Sequence, residues 1–363
     1  MKICYLADAN SSHTKKWCES FVKKGYDVSV ISLSDGNIEG VKVYSLDVDK
    51  NNVNGKSDLF KLNYLRKIQM VRKLVREIKP DILHAHYATS YGLLGSMASY
   101  SPYVLSVWGS DVYEFPRKSP IHSMLLKYNL AKADVLMSTS NCMAGELAQY
   151  TNKKIYITPF GVDMNKFKVK EKEGNENEIV VGIVKSLEKV YGIDVLIKAF
   201  SIADRKLPYK NLKLKIGGKG TLEKELKDLA SEKNLADKIE FLGFLSPEKV
   251  VTTFQSLDIA VFPSISESFG VAAIEAEACG IPVIISDEEG LMEATDPGKS
   301  SIVVHKSDED ELAEAIMRLA GDEALRKDMG KAGRAYAEKN YNVINNFNYV
   351  EEIYKQITGS SKA

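Results

Sequence analysis

FPSISESFGVAAIEAEACGIPVI, residues 262–284, reads as one strand–loop–helix–strand passage. An apolar run ends at Phe262, a polar loop follows, and a helix starts near Gly270 before a Gly-Ile-Pro turn leads into the next run. The first N–H groups of that helix, from Phe269, Gly270 and Val271, have no acceptor within it. With the helix dipole they make an anion site suited to a diphosphate, and Gly270 lets the backbone approach that anion closely. Glu275 lies further along the helix, where a carboxylate can accept two hydroxyl hydrogen bonds from a ribose. Glu267 lies in the preceding loop, nearer to whatever hangs from the phosphate.

In both directions from this stretch, short apolar runs alternate with helical patterns, as in parallel sheets covered by helices. Downstream of residue 178 the expected strands lie near 179–184, 212–216, 239–242, 259–262, 283–286 and 302–304. Helices start near Gly192, Thr221, Pro247 and Gly270, and the pattern is helical after Asp308. In the first half, strands are expected near 3–7, 27–31, 41–46, 81–85, 103–107, 135–138 and 155–157. Helices fill 14–24, 58–79, 91–100, 120–133 and 140–150. KVKEKEGNENE, residues 168–178, has almost no apolar content and reads as a linker. The fold class is therefore α/β, with Rossmann-like domains over 1–165 and 179–340 whose parallel sheets are expected to face each other across a cleft. Residues 341–363 form a last helix that could cross back to the first domain. Ligands of open α/β sheets bind at the carboxyl ends of the strands.

A length of 363 residues suits two domains. A composition 44% hydrophobic and 27% charged is ordinary for a globular chain. The formal net charge is +0, so nothing recommends nucleic acid. Residues 1–165 hold 21 Lys/Arg against 15 Asp/Glu, and the remainder 28 against 34, so the first half is the better surface for an anionic partner. Cys4, Cys18, Cys142 and Cys279 are dispersed without zinc spacing, which fits a reducing compartment. MKICYLADANSSH reaches Asp8 after a short apolar run and reads as a strand rather than a signal peptide. With no long apolar stretch, a cytoplasmic protein is expected, with peripheral contact at the inner face of the membrane as a second expectation.

Residues 267–284, with Glu267 and Glu275 flanking Phe269-Gly270 and then EAEACGIPVI, resemble the signature of the family-4 retaining glycosyltransferases of GT-B fold. The resemblance implies a nucleotide-diphosphate sugar as co-substrate, a UDP-sugar first, with no separate cofactor. It implies that Glu275 binds the ribose and Glu267 the donor sugar, while residues 1–165 take the acceptor. IVVGIVKSLEKVYGIDVLIKAF, residues 179–200, resembles the segment whose Arg and Lys grip the diphosphate. Here Ser186 and Tyr191 stand at those positions, so the expected cations are Lys189 first and Lys185 second. Gly218 and Gly220 match a GxG turn, and Phe244 could cover the base or could equally be core. In SDEEGLMEA, residues 286–294, Glu289 replaces a glycine, which puts a close backbone approach there in doubt.

LSVWGSDVY, residues 105–113, resembles the family's His-Gly-x-Asp loop, with Trp108 at the histidine position and Gly109 and Asp111 kept. Asp111 joins the expected catalytic set. An indole can stack on a sugar but cannot exchange protons at neutral pH. His13, Thr14, Trp108, Gly109 and His86 are expected on the acceptor side, with a sugar or lipid-linked acceptor. His84 and His86 share a strand face but lack a third ligand, so no metal is expected. No carboxylate nucleophile stands out, and the resemblance implies a front-face route to retention. A nucleotide-sugar epimerase and a non-catalytic sugar-binding protein remain alternatives. A dinucleotide-dependent dehydrogenase would need GxGxxG after the first strand, and DANSSHTKKW has none. Residues 56–79 read as one basic amphipathic helix, net +6, that could rest on an anionic membrane.

Overall fold

A computed structural model describes residues 1–48, 66–170 and 178–359. The chain divides into two units, Met1–Phe160 with Asn345–Ala363, and Gly161–Ile344. Unit 1 holds seven parallel strands: β1 (Lys2–Leu6), β2 (Asp27–Ser32), β3 (Lys42–Ser45), β4 (Ile82–His86), β5 (Tyr103–Val107), β6 (Val135–Ser138) and β7 (Ile155–Ile157). Their order in the sheet is β3-β2-β1-β4-β5-β6-β7. Unit 2 holds β8 (Glu178–Val184), β9 (Asn211–Gly217), β10 (Ile239–Gly243), β11 (Ile259–Phe262), β12 (Val283–Ser286) and β13 (Ser301–Val304), in the order β10-β9-β8-β11-β12-β13. Helices cover both faces of such sheets, so their central strands are uninterrupted buried runs; β4, β5, β11 and β12 are buried at every position.

Strand order reverses at β1/β4 in unit 1, where Tyr5 lies opposite His84. It reverses again at β8/β11 in unit 2, where Ala260 lies opposite Gly182. The loops leaving two such strands diverge to opposite faces and open a crevice at the strands' carboxyl ends. Each unit is therefore a Rossmann-like layer with one such place for a ligand.

The C-terminal helix, Val343–Ile357, belongs mostly to unit 1. Its Tyr354 hydroxyl is hydrogen-bonded to His84 Nδ1, Glu351 forms an ion pair with Lys24, and Tyr26 donates to Glu351 at 2.6 Å. Four short helical turns among the described residues escape sequence reading: Ser110–Tyr113, Phe115–Lys118, Lys189–Tyr191 and Glu289–Ala294. Each is too short to show a 3.6-residue period. Of the helix expected over 58–79, Ile68–Ile78 is seen. Lys56, Lys61 and the rest of its beginning lie outside the described residues, as does 171–177 of the expected linker. No helix among the described residues is long and apolar enough to cross a membrane.

Candidate active site

In unit 2 the polar groups gather on the loops that leave β8 and β11. Lys185 is the first residue after β8, and Glu267 lies in the loop after β11. The Lys185 ammonium forms an ion pair with the Glu267 carboxylate, their side chains only 16% and 11% exposed. It also lies 4.6 Å from the centroid of the Tyr191 ring, a cation–π contact. Opposite charges held this far from water depend on each other, since either alone would be an uncompensated charge. Lys189 is placed differently. It is 68% exposed and pairs with Asp194 at 2.7 Å, beside the start of helix Ile193–Lys206. Of the two lysines expected to meet the diphosphate, Lys185 is the one brought to Glu267. Ser186 is exposed, and its carbonyl accepts from Glu188 N–H at 2.9 Å.

The Lys185 loop is pinned by backbone. Lys185 N–H donates to Gly217 and Leu187 N–H to Lys219, at 2.9 and 3.0 Å. Gly218 has φ +140, and a Cβ there would lie 1.8 Å from the Lys185 carbonyl. Only glycine permits that contact, so Gly218 has a structural duty whatever lies near it. Gly270 caps helix Val271–Ala278 with φ +75, a left-handed conformation that favours glycine. Phe269 is buried edge-on against Tyr341 at 5.4 Å, and Val271 opens the helix. Glu275 is half-buried on the same helix.

Gly290, which the sequence reading passed over, makes the close approach that Glu289 put in doubt. A Cβ at Gly290 would lie 2.1 Å from the Glu267 carbonyl, so the short helix can begin against the Glu267 loop only with glycine there. The signal was a lone glycine after three consecutive acids. Phe244 is 75% exposed, which removes the core alternative. Phe244→Ala should leave Tm almost unchanged, since exposed positions shift stability by less than about 0.5 kcal/mol. The base-covering role expected of Phe244 predicts that the same variant weakens nucleotide binding several-fold in a calorimetric titration, and an unchanged affinity would detach Phe244 from the nucleotide.

In unit 1, His86 ends β4 and Trp108 follows β5. His86 is buried with both ring nitrogens unpartnered, packed 4.5 Å from Trp108 and 5.0 Å from Tyr5. Burial first, then His84 and His13, hold its pKa well below the usual range, so the ring is neutral. Thr14 Oγ1 is also buried without a partner. His13 stacks on Phe160 at 4.0 Å and lies 5.8 Å from Trp108; burial, then Lys16, pushes its pKa down to about 4. Of the expected acceptor-side residues, His13, His86 and Trp108 thus meet in one aromatic cluster. His84 is committed elsewhere, to Tyr354 and to Ser106 Oγ at 2.7 Å. Among the described residues no three His, Cys, Asp or Glu are placed to hold a metal ion.

Asp111 lies in the short turn Ser110–Tyr113 after β5. Its carboxylate is fully buried and accepts from the N–H groups of Ala88, Gly109 and Trp108 at 2.8, 2.8 and 3.1 Å. Burial raises its pKa while those hydrogen bonds oppose the rise. With three backbone donors on its oxygens, Asp111 ties the Trp108 loop to Ala88.

Residues 2–140 match the family described as glycosyl transferase 4-like, and residues 165–336 match the glycosyl transferases group 1. The chain is 28% identical over 287 residues to a D-inositol 3-phosphate glycosyltransferase of Corynebacterium jeikeium, covering 71% of this chain and 68% of that one. Its fold is similar to a sucrose-phosphate synthase from Thermosynechococcus elongatus, with TM-score 0.87 and 20% identity over 99% of this chain and 100% of the other. It is also similar to Anabaena HepE solved with UDP-glucose, with TM-score 0.76 and 19% identity over 98% and 100%. The chain belongs to the group 1 glycosyltransferases of GT-B fold. It is a transferase enzyme of that family.

Proposed function

We propose that the chain is a retaining, metal-independent hexosyltransferase that carries a sugar from a UDP-sugar to a hydroxyl of a sugar or lipid-linked acceptor, in glycan or glycolipid synthesis. The observation that carries this reading is the Lys185–Glu267 pair at the β8/β11 switch point. It sets a cation and a carboxylate where a diphosphate and its sugar would lie. Helix Val271–Ala278 offers its N-terminal N–H groups to the diphosphate, and Glu275 takes the ribose hydroxyls. When the donor arrives, Lys185 turns from Glu267 to the phosphate, and Glu267 is released to accept from the sugar hydroxyls. UDP as the carrier is favoured by the UDP-glucose bound to the similar Anabaena fold.

The acceptor hydroxyl is placed on unit 1, with Trp108 as a stacking surface and His86 and Thr14 as unused hydrogen-bonding groups. The bond from the anomeric carbon to the diphosphate breaks, and the acceptor oxygen bonds to that carbon on the same face. The acceptor's proton passes to the departing phosphate oxygen. Lys185 and the helix N-terminus stabilise the charge on the leaving group, the kind of contribution that usually dominates. Arg66, Lys67, Lys73 and Arg76, on or beside helix Ile68–Ile78, give the same unit a cationic surface that could rest on an anionic membrane.

Two experiments test the donor reading. Glu275→Ala should weaken UDP binding by about 1.5–3 kcal/mol for each charge-assisted hydrogen bond lost; an unchanged calorimetric Kd would remove Glu275 from the ribose. Transfer should survive EDTA, because Lys185 and the helix supply the positive charge. Loss on chelation with rescue by Mg²⁺ or Mn²⁺ would overturn the metal-independent reading.

A further inference from the structure

Helix Pro120–Lys132 of unit 1 is apolar on two sides. One side faces inward, with Leu126, Asn129 and Leu130 buried. The other presents Ile121, Met124 and Tyr128 to solvent, 70%, 66% and 41% exposed. Their spacing of three and four puts them on one stripe. A solvated helix normally carries polar groups there, so a stripe of three large apolar side chains calls for a covering surface.

The charges around the stripe indicate what covers it. Lys118, Lys127 and Lys132 are exposed and pair with no carboxylate among the described residues; the Lys132 ammonium lies 5.7 Å from the Tyr128 ring centroid. Nearby acids are mostly engaged. Glu146 pairs with Arg117, Asp134 accepts from Ser101 and from the Tyr103 N–H, and only Glu114 stands exposed in the preceding turn. Helix Ser90–Ala98 packs against both Pro120–Lys132 and Ile68–Ile78, so the cations of the latter extend the same helical layer.

We propose that Ile121, Met124 and Tyr128 insert shallowly into an anionic lipid surface, with Lys118, Lys127 and Lys132 meeting its headgroups. Apolar side chains interleaved with lysines on one helix face are the pattern of interfacial helices. The inference rests on the membrane contact proposed above and names the side chains that enter the lipid, which the cations of helix Ile68–Ile78 alone do not require.

The test uses the full chain and sonicated vesicles of phosphatidylcholine, with and without one quarter phosphatidylglycerol. Wild type should sediment with the phosphatidylglycerol vesicles, and less so as salt rises. The variant I121S/M124S/Y128S, altered only at exposed positions, should keep its Tm and its UDP affinity while its vesicle partition falls at least about tenfold. Y128W should show a blue-shifted emission quenched by brominated lipid. Unchanged partition of the serine variant, with loss in R66Q/K67Q/K73Q/R76Q, would overturn the insertion and leave the electrostatic contact standing. Absence of wild-type binding would overturn both. Concentration-dependent self-association abolished by the serine variant, without vesicle binding, would assign the stripe to a second copy of the chain and also overturn the proposal.

Discussion

Lys185→Ala should lower kcat by about 10²–10³-fold, the effect of removing one strong stabiliser of a developing anion. The ammonium is held beside Glu267 and over the Tyr191 ring, on a loop fixed to Gly217 by backbone hydrogen bonds. The loop holds its backbone in place, so once the ammonium has turned from Glu267 to the bound diphosphate it meets the charge that develops there. The alanine variant also leaves the Glu267 carboxylate, 11% exposed, without its cation, so some loss of stability should accompany the loss of rate. Lys185→Arg separates the two effects, restoring the charge and the stability but only part of the rate. Lys189→Ala, on a side chain tied to Asp194 at the surface, should change kcat by less than about threefold. A severe Lys189 variant beside a silent Lys185 variant would show that the phosphate is gripped further along the loop.

The second large effect concerns stability and pH. Glu277 is fully buried on helix Val271–Ala278, one oxygen accepting from Ser300 Oγ and the other without a partner. Burial, with the Asp296 carboxylate adding to it and Ser300 opposing, pushes its pKa up to about 8. In the unfolded chain a glutamate titrates near about 4.3. Between these values the folded protein holds a proton that the unfolded chain has released, so stability is greatest below the lower value and declines as pH rises towards 8. The decline approaches about 1.4 kcal/mol per pH unit, or roughly 2–4 °C in Tm per kcal/mol for a unit of this size. Glu277→Gln, neutral at every pH, should flatten the fall in Tm between pH 5 and pH 8. An equal fall in both proteins would show that Glu277 is not the group responsible.

Much of this architecture is legible in the residues. Ile259–Phe262 and Val283–Ser286 are found where the apolar runs place them, because fully buried parallel strands must be continuously apolar and are bounded by turn residues. The helix start at Gly270 was visible too, with glycine marking a left-handed backbone. What stayed hidden depends on three-dimensional neighbours. Motif alignment put Ser186 and Tyr191 at the cation positions and left Lys185 and Lys189 beside them, and it could not tell that Lys185, directly after β8, pairs with Glu267 while Lys189 pairs with Asp194. Asp111 was singled out by the likeness of its loop to a His-Gly-x-Asp motif, which says nothing of the three backbone donors that its carboxylate meets in space. The exposed face of Pro120–Lys132 escaped notice because a helix apolar on two sides shows no amphipathic pattern.

The most direct test is a thermal-shift titration of the wild type and Glu275→Ala with UDP, GDP, ADP and TDP sugars. A ligand at about 100 times its Kd stabilises the folded state by about 2.7 kcal/mol. UDP-sugars should raise the wild-type Tm by several degrees and raise that of Glu275→Ala much less at the same concentration. A Tm that responds to no nucleotide sugar, or a shift of equal size in the two proteins, would contradict a donor site built on the loops and helix beside β8 and β11.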